Sequence, residues 1–268
     1  MASWIAAATS YSTNNRVMVP FYTFYSMFGL QRIGDLAWAA GDIRARGFLL
    51  GGTAGRTTLN GEGLQHEDGH SHILASTIPN CIPYDPTFAH EVAVIMHDGL
   101  KRMIENQEDV FYYITLMNEN YAQPGLKPGQ EENILKGLYL LQEGAKKAKN
   151  RVQLMGSGTI LREVIAAADL LKDDWGVTAD VWSAPSFTLL ARDGQDVERW
   201  NMLHPTDKPR QAHITSSLQG TAGPIVVATD YMRTFAEQVR AFVPKDRTYK
   251  VCLLYTFSEP TRPERISY

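Results

Sequence analysis

The densest group of polar side chains lies in the segment LNGEGLQHEDGHSH, residues 59–72. Histidine exchanges protons near neutral pH, and a neighbouring carboxylate can fix which ring nitrogen carries the proton. Glu62 and His66 lie one helical turn apart in this segment. The pattern predicts an acid–base pair of Glu62 and His66, although a histidine in a polar loop most often only makes hydrogen bonds.

A metal site is the alternative interpretation of the same segment. His66 and His70 would share one face of a helix, with His72 and two carboxylates close by. The segment lacks the HExxH arrangement, and Gly69 weakens a regular helix between the histidines. We therefore expect no dedicated metal site, and we expect structural roles for His70 and His72.

The preceding segment GGTAGRTT, residues 51–58, imitates the end of a phosphate-binding loop. Arg56 stands where that motif requires lysine, and Leu50 stands where it requires the first glycine. Glycines in a tight loop after the strand-like segment RGFLLGG explain the composition equally well. The segment predicts a loop and not a nucleotide site.

Aromatic residues are concentrated in PFYTFYSMFGLQR, residues 20–32. Tyr25 and Phe28 would share one side of a helix that begins near Ser26. Aromatic side chains in such a stretch usually pack in the core, but they can also hold a flat heteroaromatic ring by offset stacking. Both interpretations remain open from the residues.

Strand-like and helix-like segments alternate along the chain, which predicts an α/β fold with mainly parallel sheets. Asp85 and Asp230 are each predicted to cap the helix that follows them, and Gly176 is predicted to end a third helix. The strand-like segments are RGFLLGG, VFYYITLM, VQLMGSG, DVWSAPSF and PIVVATD.

The length of 268 residues allows one large core or two ordinary ones. Residues 118–133 hold two prolines, two glycines and few large apolar side chains, which is typical of an interdomain connection. We predict a domain boundary in this segment, with residues 1–126 in the first domain and 127–268 in the second.

Charge and cysteine content exclude several classes of protein. The net charge of −3 gives no reason to expect nucleic acid as a partner, because such proteins carry a concentrated basic surface. Neither a signal peptide nor a membrane-spanning run is recognisable, so we expect a cytoplasmic protein with no membrane partner. Cys81 and Cys252 are too isolated for a disulfide framework or a structural zinc site.

A longer, ordered set of segments closely resembles the homodimeric bacterial type of the pyruvate dehydrogenase decarboxylating component. The resemblance implies two consecutive, open, mainly parallel-sheet domains of transketolase-like type: a partial pyrimidine-binding domain and a carboxyl-terminal domain with an atypical tail from about residue 252. The segments are PFYTFYSMFGLQRIGDLAWAAGD, RGFLLGGTAGRTTLNGEGLQHEDGHSH, IPNCIPYDPTFAHEVAVIMHDGL and TLLARDGQDVERWNMLHP.

The resemblance also implies a function. Family members are oxidoreductases that use thiamine diphosphate and magnesium to decarboxylate pyruvate and acetylate lipoyl groups. Their partners are a second copy of the subunit and the dihydrolipoyl acetyltransferase component. Tyr25 and Phe28 match the family aromatics around the aminopyrimidine ring, and Arg32 matches the basic residue of that motif. His66 and Glu62 match the residues that handle protons.

Parts of the family pattern have no match in this sequence. The Gly-Asp-Gly signature of the diphosphate and magnesium site does not occur, and the glutamate that protonates the aminopyrimidine would precede Ser3. We therefore expect this chain to be a fragment that binds the cofactor weakly and is inactive alone. The alternatives are a non-catalytic folding or interaction fragment, and a transketolase-type enzyme for sugar phosphates.

Overall fold

The computed structural model describes residues 1–59 and 63–252. Their helices are α1 (Ala2–Ala8), α2 (Ser10–Thr13), α3 (Gly29–Asp42), α4 (Ser71–Ser76), α5 (Ala89–Leu100), α6 (Glu131–Leu135), α7 (Ile160–Trp175), α8 (Phe187–Leu203), α9 (His213–Leu218) and α10 (Arg233–Glu237). Their strands are β1 (Phe21–Tyr25), β2 (Phe48–Gly52), β3 (Cys81–Tyr84), β4 (Phe111–Thr115), β5 (Tyr139–Gln142), β6 (Arg151–Gly156), β7 (Thr178–Ser183), β8 (Ile225–Ala228) and β9 (Tyr249–Cys252).

The strands form two sheets, one on each side of the connecting segment. The first sheet has the order β1-β2-β4-β3, and all of its pairs are parallel. The second has the order β5-β7-β6-β8-β9, in which β5 alone runs antiparallel to its neighbour. The predicted α/β class with mainly parallel sheets is confirmed.

A continuous apolar core joins the two sheets. Every residue of the central strand β4 is buried, as expected for a parallel strand covered on both faces. Ile82 and Ile114 of the first sheet belong to the same buried cluster as Leu154 and Val181 of the second. Each such side chain stabilises the fold by roughly 1.5–3 kcal/mol through loss of exposed apolar surface. The two domains therefore share buried surface and do not pack separately.

Gly176 ends α7 as the sequence predicts, and Ser186 begins α8. Gly176 adopts φ 60° directly after α7, the left-handed conformation that glycine reaches without strain, and its N–H donates to the carbonyl of Lys172. Ser186 caps α8 by accepting a hydrogen bond from the N–H of Leu189 at 3.2 Å. The segment DVWSAPSF is therefore only partly strand, because β7 ends at Ser183 and α8 begins at Phe187.

Two predicted helix caps are wrong. Asp85 caps no helix, because α5 begins at Ala89, after an extended Phe88. Asp230 caps no helix either, because α10 begins at Arg233. Both aspartates lie in strand-to-helix connections at the contact between the two domains, where the opposing domain supplies hydrogen-bond donors to each buried carboxylate.

The predicted start of a helix near Ser26 is also wrong. β1 extends to Tyr25, and α3 begins at Gly29, so Tyr25 and Phe28 lie on either side of a turn. Parallel pairing of Tyr25 with Gly52 holds Tyr25 in the strand, so the helical spacing of its neighbours does not decide its conformation.

No helix of the described ranges is long and apolar enough to cross a membrane.

Glu91 joins the two domains through its fully buried carboxylate. Within the first domain it accepts hydrogen bonds from the N–H groups of Thr87 and Phe88. Across the interface it accepts from the hydroxyls of Tyr139 at 2.7 Å and Ser183 at 2.5 Å. These bonds satisfy a charge that would be costly to bury without partners.

We predict that Glu91→Ala lowers the free energy of unfolding by about 3 kcal/mol, because it leaves four buried donors without their acceptor. Urea unfolding measures the change. Glu105→Ala, at an exposed residue beyond α5, is the matched control and is expected to change stability by less than about 0.5 kcal/mol. Equal effects of the two substitutions would contradict the role of Glu91.

Candidate functional site

Three rings meet at the end of β1. Tyr25 ends the strand, Phe28 lies in the turn before α3, and His66 ends a short 3-10 turn at Leu64–His66. The ring centroids of Tyr25 and Phe28 are 5.3 Å apart, and the imidazole of His66 lies edge-on to each at 5.6 Å. All three side chains are partly exposed. The sequence-predicted residues Tyr25, Phe28 and His66 therefore form one surface cluster.

Arg32 borders this cluster from the first turn of α3. Its guanidinium carbon lies 4.4 Å from the centroid of the Phe28 ring, within the range of a cation–π contact. The side chain is exposed. The cluster thus offers two aromatic faces, a positive charge at the rim and a group that exchanges protons. Such a surface suits a flat, polar heteroaromatic ring.

Glu62, the predicted partner of His66, lies outside the described residues, and this pairing stays a prediction. The histidines that follow His66 diverge from it. His70 lies in the bend before α4, and its backbone N–H and that of Ser71 donate to Asp68. His72 is buried inside α4. Among the described residues, no three histidine, cysteine or acidic side chains lie close enough together to hold a metal ion.

A second polar group, which is buried, connects the two domains. The hydroxyl of Thr115 donates to the carboxylate of Asp85 at 2.7 Å, and the Nε2 atom of His72 lies 2.9 Å from the same hydroxyl. From the second domain, Ser157 donates to Asp85 at 2.7 Å, and the hydroxyl of Tyr231 donates to it at 3.3 Å. The carboxylate of Asp85 is the acceptor that these groups share.

Burial controls the protonation of this group. Removal from water raises the pKa of the Asp85 carboxyl to about 7, although the hydrogen bonds from Thr115 and Ser157 oppose the rise. Burial lowers the pKa of the His72 imidazole to about 4. A neutral His72 can donate its Nε2 proton to the Thr115 hydroxyl, which in turn donates to Asp85. With these two hydrogen bonds, His72, Thr115 and Asp85 each have a partner.

Sequence reasoning missed Asp85 and Thr115 as members of a site because it treated the segments separately. The position of these polar residues at the ends of strands could nevertheless have indicated the site. Asp85 follows β3, Thr115 ends β4, and Ser157 follows β6, so all three lie at the carboxyl ends of parallel strands. Polar residues from such strand ends converge in α/β proteins.

Two family models match the chain. The model of the pyruvate dehydrogenase E1 component middle domain matches residues 1–124, and that of the transketolase-like C-terminal domain matches residues 137–259. The pyruvate dehydrogenase E1 component of Pseudomonas aeruginosa is 66% identical over 251 residues, which cover 94% of this chain and 28% of that protein. The corresponding protein of Escherichia coli K12 is 65% identical, with 91% and 27% covered.

Solved structures of similar fold include a transketolase from Campylobacter jejuni, with a TM-score of 0.61, 17% identity, and coverage of 92% of this chain and 32% of that one. A split-gene transketolase described as an inactive β4 tetramer has a TM-score of 0.58 at 16% identity, with 92% and 70% covered. At these identities the likeness concerns the fold alone. The chain spans 27–28% of the length of the curated relatives named above.

We predict that Asp85→Asn changes how stability depends on pH. The raised pKa of Asp85 means that its contribution to stability is complete below about pH 4 and is lost as the pH rises through about 7. The asparagine variant has no such loss, so its stability relative to the unmodified chain should rise between pH 4 and 8, by an amount on the order of 3 kcal/mol.

Thermal unfolding at a series of pH values measures this difference. His72 titrates in the opposite sense, but it is present in both proteins and cancels. Asp169→Asn, at an exposed aspartate of α7, serves as the control and should give a difference that does not vary with pH. A pH-independent difference for Asp85→Asn would show that this carboxyl titrates normally.

Proposed function

Because the chain belongs to the pyruvate dehydrogenase E1 family and consists of transketolase-type domains, we propose that it forms the aminopyrimidine-facing part of a thiamine diphosphate-dependent pyruvate dehydrogenase. The reaction of the complete enzyme is the decarboxylation of pyruvate with transfer of the acetyl group to a lipoyl group. The observation that carries the proposal is the meeting of Tyr25, Phe28 and His66 in one partly exposed cluster.

The aromatic residues fit the cofactor that the family implies. An aminopyrimidine is a flat heteroaromatic ring, and Tyr25 and Phe28 both retain accessible ring surface at the carboxyl end of β1. Arg32 adds a positive charge beside Phe28. When bound, thiamine diphosphate supplies the electron sink for loss of carbon dioxide from a 2-oxo acid. Tyr25 and Phe28 would hold its pyrimidine ring, and Arg32 would flank it.

His66 is the residue that we assign to proton transfer. It contacts both rings of the proposed pyrimidine site, so its imidazole lies beside the place where the reacting atoms would be held. A ring nitrogen of histidine can hold or release a proton near neutral pH. His72 is unsuited to this role, because it is buried and its pKa is lowered to about 4. Glu62 remains the predicted partner of His66.

We propose that the diphosphate and magnesium are bound by another part of the family protein. The sequence contains no Gly-Asp-Gly signature, and the described residues form no group of three metal ligands. The resemblance implies that cofactor sites lie between subunits, which makes a second copy of this subunit and the dihydrolipoyl acetyltransferase component the proposed partners. Oxygen ligands of that other part would coordinate the magnesium.

A non-catalytic assembly subunit is the second candidate function. It is favoured by the short span of the chain, which covers only 27–28% of the E1 components named above. A transketolase activity on sugar phosphates has weaker support. The transketolases of known structure named above are only 16–17% identical to this chain, whereas the E1 components are 65–66% identical.

The proposed function is tested in a chimera in which residues 2–252 replace the matching stretch of the Pseudomonas aeruginosa E1 component. We expect pyruvate-dependent reduction of an artificial acceptor with added thiamine diphosphate and magnesium. His66→Ala should lower turnover about a hundredfold while cofactor affinity and thermal stability stay nearly constant, because a proton-transfer group is lost.

His97→Ala, at an exposed histidine of α5, is the matched control and should retain full turnover. An inactive but folded and cofactor-binding chimera would favour the assembly role. Full turnover of the His66→Ala chimera would remove this histidine from the mechanism. Transfer of two-carbon units between sugar phosphates would instead support the transketolase alternative.

We also predict that the chain self-associates. Val17, Met18 and Phe21 are 52–56% exposed; Phe21 begins the edge strand β1, and Val17 and Met18 lie just before it. Exposed apolar residues beside an unpaired strand edge favour association with another chain. Light scattering should show a mass above 30.0 kDa that decreases in Met18→Lys. Met202→Lys, at an exposed methionine of α8, is the control and should retain the larger mass.

A further inference from the structure

The loop after β8 holds the beginning of the segment that carries His66. One carboxylate oxygen of Asp230 accepts hydrogen bonds from the N–H groups of Arg56 at 2.7 Å and Thr57 at 3.1 Å. The other oxygen accepts from the hydroxyl of Thr57 at 2.7 Å. Asp230 belongs to the second domain, and the residues it binds belong to the Gly-rich loop of the first.

The same loop also holds the end of that segment. The N–H of Met232 donates to the carbonyl of Gly69 at 2.8 Å. Between the two contacts, the ring of Tyr231 lies edge-on to the imidazole of His72, with centroids 4.9 Å apart. Thus a single loop of the second domain contacts the chain both before and after His66.

Two glycines permit this close approach. Gly55 has φ 99°, and a Cβ atom there would lie 2.5 Å from the hydroxyl of Thr159 and 3.0 Å from a carboxylate oxygen of Asp230. A Cβ atom on Gly69 would lie 2.3 Å from the guanidinium of Arg56. A larger residue at Gly55 would therefore separate this loop from Asp230, and one at Gly69 would displace the side chain of Arg56.

The contact between the domains is also electrostatic. The side chains of Arg56 and Asp230 are 2% and 3% exposed. Burial lowers the pKa of Arg56, an effect that the carboxylates of Glu67 and Asp230 oppose. Burial raises the pKa of Asp230, an effect that its hydrogen bonds from Thr57 oppose. Opposite charges thus compensate one another where water is excluded.

We propose that Asp230 is a positioning residue that, together with the backbone of Met232, holds the His66 segment against Tyr25 and Phe28. Asp230 acts through Arg56 and Thr57 and does not contact the ring cluster itself. The catalytic significance of this positioning rests on the proposed function, but the positioning is a property of the chain alone. The second domain thereby controls a site whose ring residues all belong to the first.

The experiment compares amide hydrogen exchange and imidazole NMR spectra of the unmodified chain, Asp230→Ala and Asp230→Asn. In the alanine variant, exchange of the Arg56 and Thr57 amides should accelerate roughly tenfold or more, because hydrogen bonds to a charged acceptor are lost. The His66 ring resonances should shift as its contacts with two aromatic rings loosen. Asparagine keeps one carbonyl oxygen as an acceptor and should restore most of both signals.

Asp207→Ala, at an exposed aspartate of the second domain, is the control and should leave both signals unchanged. If Asp230→Ala does not fold, Thr57→Val tests the same contact, because it removes only the hydroxyl donor. Unchanged exchange and unchanged His66 resonances in a folded Asp230→Ala or Thr57→Val chain would overturn the positioning role.

The chimera separates this inference from the proposed function. Asp230→Ala should lower its turnover about tenfold without a matching change in KM for pyruvate, and Asp230→Asn should recover it. If the NMR signals shift while turnover stays constant, the positioning role stands and the assignment of His66 to catalysis fails. If the signals do not shift, the positioning role fails whatever the turnover.

Discussion

Buried polar groups between the two sheets must find hydrogen-bond partners, several of which the opposing domain supplies, and the rest of the structure depends on this constraint. Asp85 receives the hydroxyls of Ser157 and Tyr231, and Asp230 receives backbone N–H groups of the Gly-rich loop. An unpaired carboxylate at such a place would cost several kcal/mol. The apolar core would tolerate small rotations between the domains, but these directional bonds favour a single orientation.

The same constraint explains why neighbouring histidines have different properties. His66 lies among partly exposed rings, whereas His72, six residues further along, is enclosed by Tyr113, Tyr231 and Phe235. Exclusion of water favours the neutral form of the enclosed imidazole. A short segment thereby supplies both the partly exposed histidine that we propose for proton transfer and one that belongs to the packing between the domains.

The fold of this chain is shared with proteins of low sequence identity, whereas the ring cluster depends on particular residues. The transketolase from Campylobacter jejuni is only 17% identical, yet its TM-score of 0.61 reflects the same arrangement of strands and helices. Many sequences can satisfy a parallel sheet, since its buried strands require only apolar side chains of suitable volume. The cluster of Tyr25, Phe28 and His66 is a more specific feature, because it depends on particular side chains at the end of one strand.

Local sequence determined the α/β class, most of the strands and the end of α7 at Gly176, because alternation of apolar residues and a left-handed glycine act over a few neighbours. The resemblance to the family also predicts that Tyr25, Phe28 and His66 belong to one site. Only the tertiary structure decided the partners of Asp85 and Asp230. Tyr231 is 146 residues from Asp85 along the chain, and Arg56 is 174 residues from Asp230. A carboxylate near a helix looks like a cap in the sequence, but burial against a second sheet gives it stronger donors from a distant part of the chain.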